Sequence, residues 1–180
     1  MKRIAKGYWV WGQFDEKSAN KLEEIKQRAN RALKGPCFDI HLTISGPLFN
    51  LESKTKNYFN NLGKSVNGFK LEARAYEFKD DYFQAFFIAI NKSEDLLELK
   101  KTIDAKLNLK ETKYFPHISL FYGRQESLVK KQLARSLPEI PREIYLEKLS
   151  LVKVDENIQS WKIIQSVELN NPSLINEPIY

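Results

Sequence analysis

The chain has 180 residues, of which 42% are hydrophobic and 12% aromatic, enough for one domain with an apolar core. It carries 29 Lys and Arg against 23 Asp and Glu, and the resulting net charge of +6 favours an anionic partner such as a nucleotide or RNA. The single cysteine, Cys37, excludes an internal disulfide, and no run reaches the ~20 apolar residues of a membrane-spanning helix.

The first half of the sequence alternates strand-like and helix-like segments. It predicts a strand over 8–14, a helix over 16–33 capped by Asp15, a strand over 38–45 ended by Gly46-Pro47, a helix over 53–65, and a hairpin of strands 69–78 and 82–90. In the helix over 16–33, apolar residues recur at steps of three and four, as expected for a buried stripe: Leu22, Ile25, Ala29 and Leu33.

The second half repeats this order in a shorter form. It predicts a helix over 94–107 capped by Ser93, a strand over 117–122, a helix over 125–136, and strands over 143–155 and 161–169, the first with an irregularity before Leu149. The inward side of the helix over 94–107 is predicted to carry Leu96, Leu97, Leu99 and Ile103.

The repeated order predicts an α+β fold. We expect it to be bilobal, with two antiparallel sheets related by pseudo-twofold symmetry around a central groove and helices on the outside. The lobes correspond to about 8–90 and 94–169 of a single domain over 1–180, and 170–180 is expected to be a tail.

Both histidines of the chain lie in strand-like runs of the same form. HLTI (residues 41–44) and HISL (residues 117–120) each read histidine, aliphatic, hydroxyl, aliphatic. Because side chains alternate across a strand, the aliphatic residues anchor each run in the core, with Phe38 on the same side as Leu42, and the histidine and hydroxyl share the other face. One such run is more often structural than catalytic, but two runs that use both histidines favour a site.

The four polar side chains suit acid–base catalysis on a phosphate ester. One imidazole can deprotonate a nucleophile while the other protonates the leaving oxygen. The two hydroxyls can bind phosphoryl oxygens as charge develops. We therefore predict His41 and His117 as catalytic residues and Thr43 and Ser119 as phosphate-binding residues, with no metal and no cofactor.

These runs resemble the twin H-x-[TS]-x motifs of the two-histidine phosphoesterase superfamily, which includes RNA 2′,5′-ligase-like proteins and the cyclic nucleotide phosphodiesterases of plants and yeast. YFPHISLFYG (residues 114–123) is similar to the P-H-L-S-L-L-Y run of the cyclic phosphodiesterase branch, and YFQ (residues 82–84) to its Y-F-Q. The closing strand, from Trp161 to Leu169, also fits, and the resemblance covers about residues 7–169.

The resemblance implies a phosphodiesterase with its histidines in a groove between two lobes. The implied reaction is hydrolysis of a nucleoside 2′,3′-cyclic phosphate, or of ADP-ribose 1″,2″-cyclic phosphate, to a phosphomonoester. It implies His117 as the base, His41 as the acid and Tyr122 as a further phosphate contact. Tyr82 and Phe83 offer rings on which a nucleobase can stack. Trp9 and Trp11 share a strand face and are expected to serve mainly in packing, with a place at the edge of the groove as the alternative.

Several alternatives stay open from the sequence. The substrate can be an RNA end with a 2′,3′-cyclic phosphate, a 2′,5′-linked oligonucleotide or a cyclic oligonucleotide signal. A binding module for RNA or nucleotides without turnover, or a metal site completed by a carboxylate such as Asp39, belongs to a different class. The N-terminus lacks the apolar segment of a signal peptide, so we expect a cytoplasmic protein that does not bind membranes. We also expect a monomer.

Overall fold

The computed structural model describes residues 6–110 and 112–171, so the predicted tail lies outside the described residues from 172 onward. The strands are β1 (Gly7–Phe14), β2 (Leu42–Leu48), β3 (Phe69–Glu77), β4 (Phe86–Ile90), β5 (His117–Phe121), β6 (Glu143–Val154) and β7 (Lys162–Glu168). The helices are α1 (Glu16–Leu33), α2 (Ser53–Ser65), α3 (Glu94–Lys106) and α4 (Ser127–Ser136). Short 3₁₀ turns lie at Tyr82–Gln84 and Ile158–Ser160. Among the helices of these residues, none is both long and apolar enough to cross a membrane.

The predicted helix caps are confirmed. The Asp15 carboxylate accepts a hydrogen bond from the Ser18 N–H at 3.2 Å, and the Ser93 hydroxyl accepts one from the Leu96 N–H at 3.3 Å. Lys34 ends α1 in the left-handed conformation. The whole predicted stripe of α1 is buried against the sheet, but Leu97 of α3 was wrongly predicted to face inward, since it is 41% exposed.

All seven strands belong to one antiparallel sheet in the order β1-β2-β5-β4-β3-β6-β7. Strand β6 pairs through residues 143–146 with β3 and through 146–154 with β1, so six strands form a closed circuit and β7 extends it beside β6. The α+β class is therefore confirmed, whereas the predicted division into two separate sheets is not. The long strand β6 is the physical reason, because it runs from one half of the chain's sheet into the other. Its register shift between Leu146 and Lys148 is the irregularity expected before Leu149.

Two predicted strands have different bounds. The run predicted over 38–45 becomes a strand only at Leu42 and continues through Gly46-Pro47 to Leu48. A register shift opposite Trp9 accommodates the proline, which cannot donate to a regular ladder. Gly46 has φ of +130°, and a Cβ there would lie 2.9 Å from the Trp9 ring, so glycine is required at this bend.

The strand predicted over 82–90 begins only at Phe86. Residues 82–84 form a 3₁₀ turn, because the Asp81 carboxylate accepts a hydrogen bond from the Phe83 N–H at 3.0 Å and caps it. The hairpin of β3 and β4 is present as predicted. This turn places Tyr82 and Phe83 beside the end of β5, at the candidate site.

Candidate active site

The two histidine runs meet where β2 and β5 pair. Leu42 lies opposite Ile118, and both side chains are fully buried. Since the strands are antiparallel, the positions beside this pair bring His41 toward Ser119 and Thr43 toward His117. The alternation of the two runs thus gathers the four predicted polar residues on one face of the sheet.

Each histidine ring is fixed by the same backbone contact. His41 Nδ1 lies 2.7 Å from the carbonyl oxygen of Asp39, and His117 Nδ1 lies 2.8 Å from that of Phe115, in each case two residues earlier. A carbonyl oxygen only accepts hydrogen bonds, so both Nδ1 atoms carry a proton. The neutral rings therefore present an unprotonated Nε2, the atom that a general base uses.

His41 is enclosed by an aromatic partner. Its ring stacks on Trp11 with the ring centroids 3.6 Å apart and the planes 8° from parallel, and only 4% of the residue is exposed. Burial lowers the pKa of His41 to about 3, and the nearby charges of His117 and Lys26 act in the same direction. The hydrogen bond to Asp39 opposes this shift.

His117 has a looser environment. It is half-buried, and it meets Phe87 at 5.1 Å in an edge arrangement and Phe115 at 5.4 Å in a tilted one. Burial lowers its pKa, and the Lys79 charge adds to this, while Asp81 and the hydrogen bond to Phe115 raise it. In the free protein both histidines are consequently neutral at pH 7.

The two hydroxyls are also placed differently. Thr43 is half-buried and lies opposite Trp11 in the β1–β2 pair, and its carbonyl accepts a hydrogen bond from the Tyr114 hydroxyl at 3.0 Å. Ser119 is 5% exposed, and its hydroxyl donates a hydrogen bond to the Phe83 carbonyl oxygen at 3.5 Å. Burial raises the pKa of Tyr122, so its phenol stays protonated and able to donate.

An aromatic cluster packs beside the Ser119 hydroxyl. We name it the aromatic cover, and it consists of Phe38, Tyr82, Phe83, Tyr122 and Trp161, with Ile158. Within it the Phe38 ring stacks on Tyr122 at 4.1 Å, and Phe83 lies nearly parallel to Trp161 at 6.3 Å. Phe38 was predicted to lie in the main core beside Leu42, which is wrong, because the chain before Leu42 is not extended as a strand. Tyr82 and Phe83 are half-buried in this cover.

Sequence reasoning assigned no role to two residues beside His41. Trp11 was expected to serve in packing, and Lys26 was not considered. Lys26 is 5% exposed. Its Nζ lies 2.8 Å from the Glu23 Oε2 and donates a hydrogen bond to the Phe38 carbonyl oxygen. Its position within the apolar stripe of α1, four residues after Leu22, is the signal that could have identified a functional or structural cation.

The possibility of a metal site completed by Asp39 finds no geometric counterpart in residues 6–110 and 112–171. These residues contain no group of three or more His, Cys, Asp or Glu side chains arranged to hold an ion. Asp39 itself is exposed, and its part in the site is the backbone carbonyl that orients His41.

Solved structures with the same fold exist. E. coli LigT complexed with 3′-AMP is similar over 92% of this chain and 99% of LigT, with a TM-score of 0.63 and 11% identity. The protein TT0787 of Thermus thermophilus matches over 92% of this chain and 98% of its own, with a TM-score of 0.60 and 14% identity. A phosphoesterase matches over 92% of this chain and 99% of its own, with a TM-score of 0.57 and 10% identity. No protein-family model matches the sequence, and no curated protein matches it significantly.

Proposed function

We propose that this chain, which shares its fold with LigT and with a phosphoesterase, hydrolyses a cyclic phosphodiester to a phosphomonoester by histidine acid–base catalysis. The observation that carries the proposal is the matched pair of histidines beside Leu42 and Ile118. Both have Nδ1 bound to a backbone carbonyl, which leaves Nε2 of each neutral ring unprotonated, and in each run a hydroxyl residue follows two positions later.

The proposed reaction forms one P–O bond and breaks another. A water oxygen attacks phosphorus while one imidazole takes its proton, and the bond from phosphorus to a ribose oxygen breaks as the other imidazole supplies a proton to that oxygen. Thr43 and Ser119 donate hydrogen bonds to the phosphoryl oxygens as their charge grows. Tyr122, whose phenol stays protonated, is the further donor to the phosphate that the resemblance implies. The proposed substrates are a nucleoside 2′,3′-cyclic phosphate, ADP-ribose 1″,2″-cyclic phosphate or an RNA that ends in a 2′,3′-cyclic phosphate.

The assignment of acid and base involves two opposing effects. The resemblance implies His117 as base and His41 as acid, and the parallel stack on the Trp11 indole favours a protonated His41 through a cation–π interaction. Burial acts against this, since it lowers the pKa of His41 to about 3. A bound phosphate anion raises the pKa of both rings, so the acid is protonated when substrate arrives. We therefore assign His41 as the acid and His117 as the base.

The test is direct incubation with three candidates: 2′,3′-cyclic AMP, ADP-ribose 1″,2″-cyclic phosphate and an RNA ending in a 2′,3′-cyclic phosphate. Phosphorus NMR reports whether a monoester forms and on which ribose oxygen. Turnover is expected to persist in EDTA, because the proposed mechanism uses no metal. Loss of turnover in EDTA, with recovery on adding zinc, would reject it. Binding without any turnover would favour a nucleotide-binding module.

A further inference from the structure

A cavity of about 950 Å³ lies beside the His41 half of the candidate site, between α1 and the sheet. Its wall includes Trp11, which stacks on His41, and Asp39, whose carbonyl accepts the His41 Nδ1–H. The residues that hold this histidine in place therefore also border the cavity. Pockets for small organic ligands occupy about 300–1,000 Å³, so there is room for a nucleoside with its phosphate.

One polar group on the cavity wall has a fixed orientation. The Gln13 Oε1 accepts a hydrogen bond from the fully buried Ser150 hydroxyl, which lies 2.7 Å from the Ser166 hydroxyl. Within the described part of the chain, the Gln13 amide nitrogen makes no hydrogen bond. Its two N–H groups are consequently available to a ligand, and the contact with the buried Ser150 orients them.

The remaining wall combines amides, an aromatic ring and charged side chains, among which Glu23 is paired with Lys26. Gln27 of α1 and Gln159 of the second 3₁₀ turn each offer a donor and an acceptor side by side, the pattern that nucleobase edges present. Arg31 is exposed and offers the planar fork that binds phosphate oxygens in pairs. The half-buried ring of Trp161 provides a face for stacking. Together these groups match a nucleoside joined to an anionic linker.

We propose that this cavity, here named the α1 cavity, binds a nucleoside unit of the substrate that lies beyond the reacting ribose. The inference rests on the proposed function and narrows its substrate class. It favours substrates in which a phosphate or pyrophosphate links the reacting ribose to another nucleoside, as in a short RNA end or ADP-ribose 1″,2″-cyclic phosphate. A mononucleoside cyclic phosphate would contact the two histidines and leave the α1 cavity empty.

The single cysteine provides a local test that does not depend on turnover. Cys37 is exposed and lies on the cavity wall, so its reaction rate with a thiol reagent reports occupation of the α1 cavity. Saturating adenylyl-(3′,5′)-adenosine or ADP-ribose should slow the reaction severalfold, and ribose 5-phosphate, which has no nucleobase, should have little effect. Equal protection by ribose 5-phosphate, or no protection by either larger ligand, would overturn the inference.

Turnover of matched variants completes the test. Arg31→Ala should lower kcat/KM about tenfold for the substrate with two nucleosides, the loss expected for one charge-assisted contact, and leave 2′,3′-cyclic AMP unchanged. The control is Arg28→Ala, on the same helix but outside the cavity, where Arg28 pairs with Glu24. An unchanged kcat/KM in Arg31→Ala would contradict the inference.

If no cyclic phosphate reacts while Cys37 is still protected, the proposed function fails and the nucleoside site stands. Comparing the effect of Arg31→Ala on the RNA substrate and on ADP-ribose 1″,2″-cyclic phosphate shows which of the two supplies the nucleoside that binds the α1 cavity.

Discussion

The two histidine half-sites have the same backbone design and different surroundings. In both, Nδ1 donates to the carbonyl two residues earlier, and a hydroxyl residue follows two positions later. His41, however, is almost fully buried and lies flat on Trp11, whereas His117 is half-buried and meets Phe87 and Phe115 at an angle.

The difference indicates how one repeated motif can serve two roles. The shared hydrogen bond sets which ring nitrogen stays unprotonated, and the unequal burial affects how readily each ring takes a proton. A hydrolysis that begins with one base and one acid requires such unequal rings. The environment of each histidine, rather than the motif itself, therefore distinguishes the two rings.

Removal of either imidazole should give the largest effect. We expect His41→Ala and His117→Ala each to lower kcat by about 10²–10⁴-fold, since that is the usual contribution of a positioned acid or base. Circular dichroism and thermal unfolding should show that both variants still fold. Activity close to that of the wild type in either variant would reject the acid–base assignment.

A sulfur-substituted substrate distinguishes the two half-sites further. If the leaving ribose oxygen is replaced by sulfur, departure no longer needs a proton, so the variant without the acid should recover most of its rate relative to the wild type. We expect recovery in His41→Ala and none in His117→Ala. Measuring both the 2′-thio and the 3′-thio cyclic phosphates covers departure of either ribose oxygen. Recovery only in His117→Ala would make His117 the acid.

Loss of a hydroxyl should give a smaller effect. Thr43→Val and Ser119→Ala each remove one donor to the phosphoryl oxygens, and we expect kcat to fall about 10–100-fold, at or somewhat below the range measured for single oxyanion donors. Thr43→Ser keeps the donor and should retain most of the activity. A Val variant as active as the Ser variant would show that Thr43 acts only in packing.

The Trp11 stack should contribute less than the groups it supports. Trp11→Leu removes the flat contact that orients His41, so kcat should fall about tenfold with little change in KM. The pKa of His41, followed by NMR, should rise, because the loss of burial, the main cause of its lowering, outweighs the loss of the cation–π interaction with the indole. Trp9→Leu is the matched control, two residues earlier on the same strand face and without a stack on His41. If both variants behave alike, Trp11 has no specific role.

Much of this arrangement follows from local sequence pattern. Alternation along HLTI and HISL placed four polar side chains on one face, and the caps at Asp15 and Ser93 fixed the start of two helices. These features depend on neighbours within a few residues, and local periodicity encodes them directly.

The features that could not be predicted depend on contacts between distant segments. Trp11 stacks on His41 because β1 pairs with β2. Phe38 lies outside the main core because its ring stacks on Tyr122. The union of the strands into one sheet depends on the path of β6, which pairs with residues more than seventy positions away. Periodicity shows which face of a strand is apolar, but it does not show which strand lies beside it.

Acid sensitivity of the fold provides the last comparison of the half-sites. The pKa of His41 is lowered to about 3 in the folded protein, against 6.5 in the unfolded chain, so between these pH values the unfolded state binds the extra proton. The free energy of unfolding should therefore fall as the pH drops below 6.5, by up to about 1.4 kcal/mol per pH unit for this one group. Urea unfolding of His41→Gln should show a flatter pH dependence than the wild type. His117→Gln should flatten it less, because His117 is only half-buried. Identical slopes in all three proteins would mean that neither ring is kept neutral by burial.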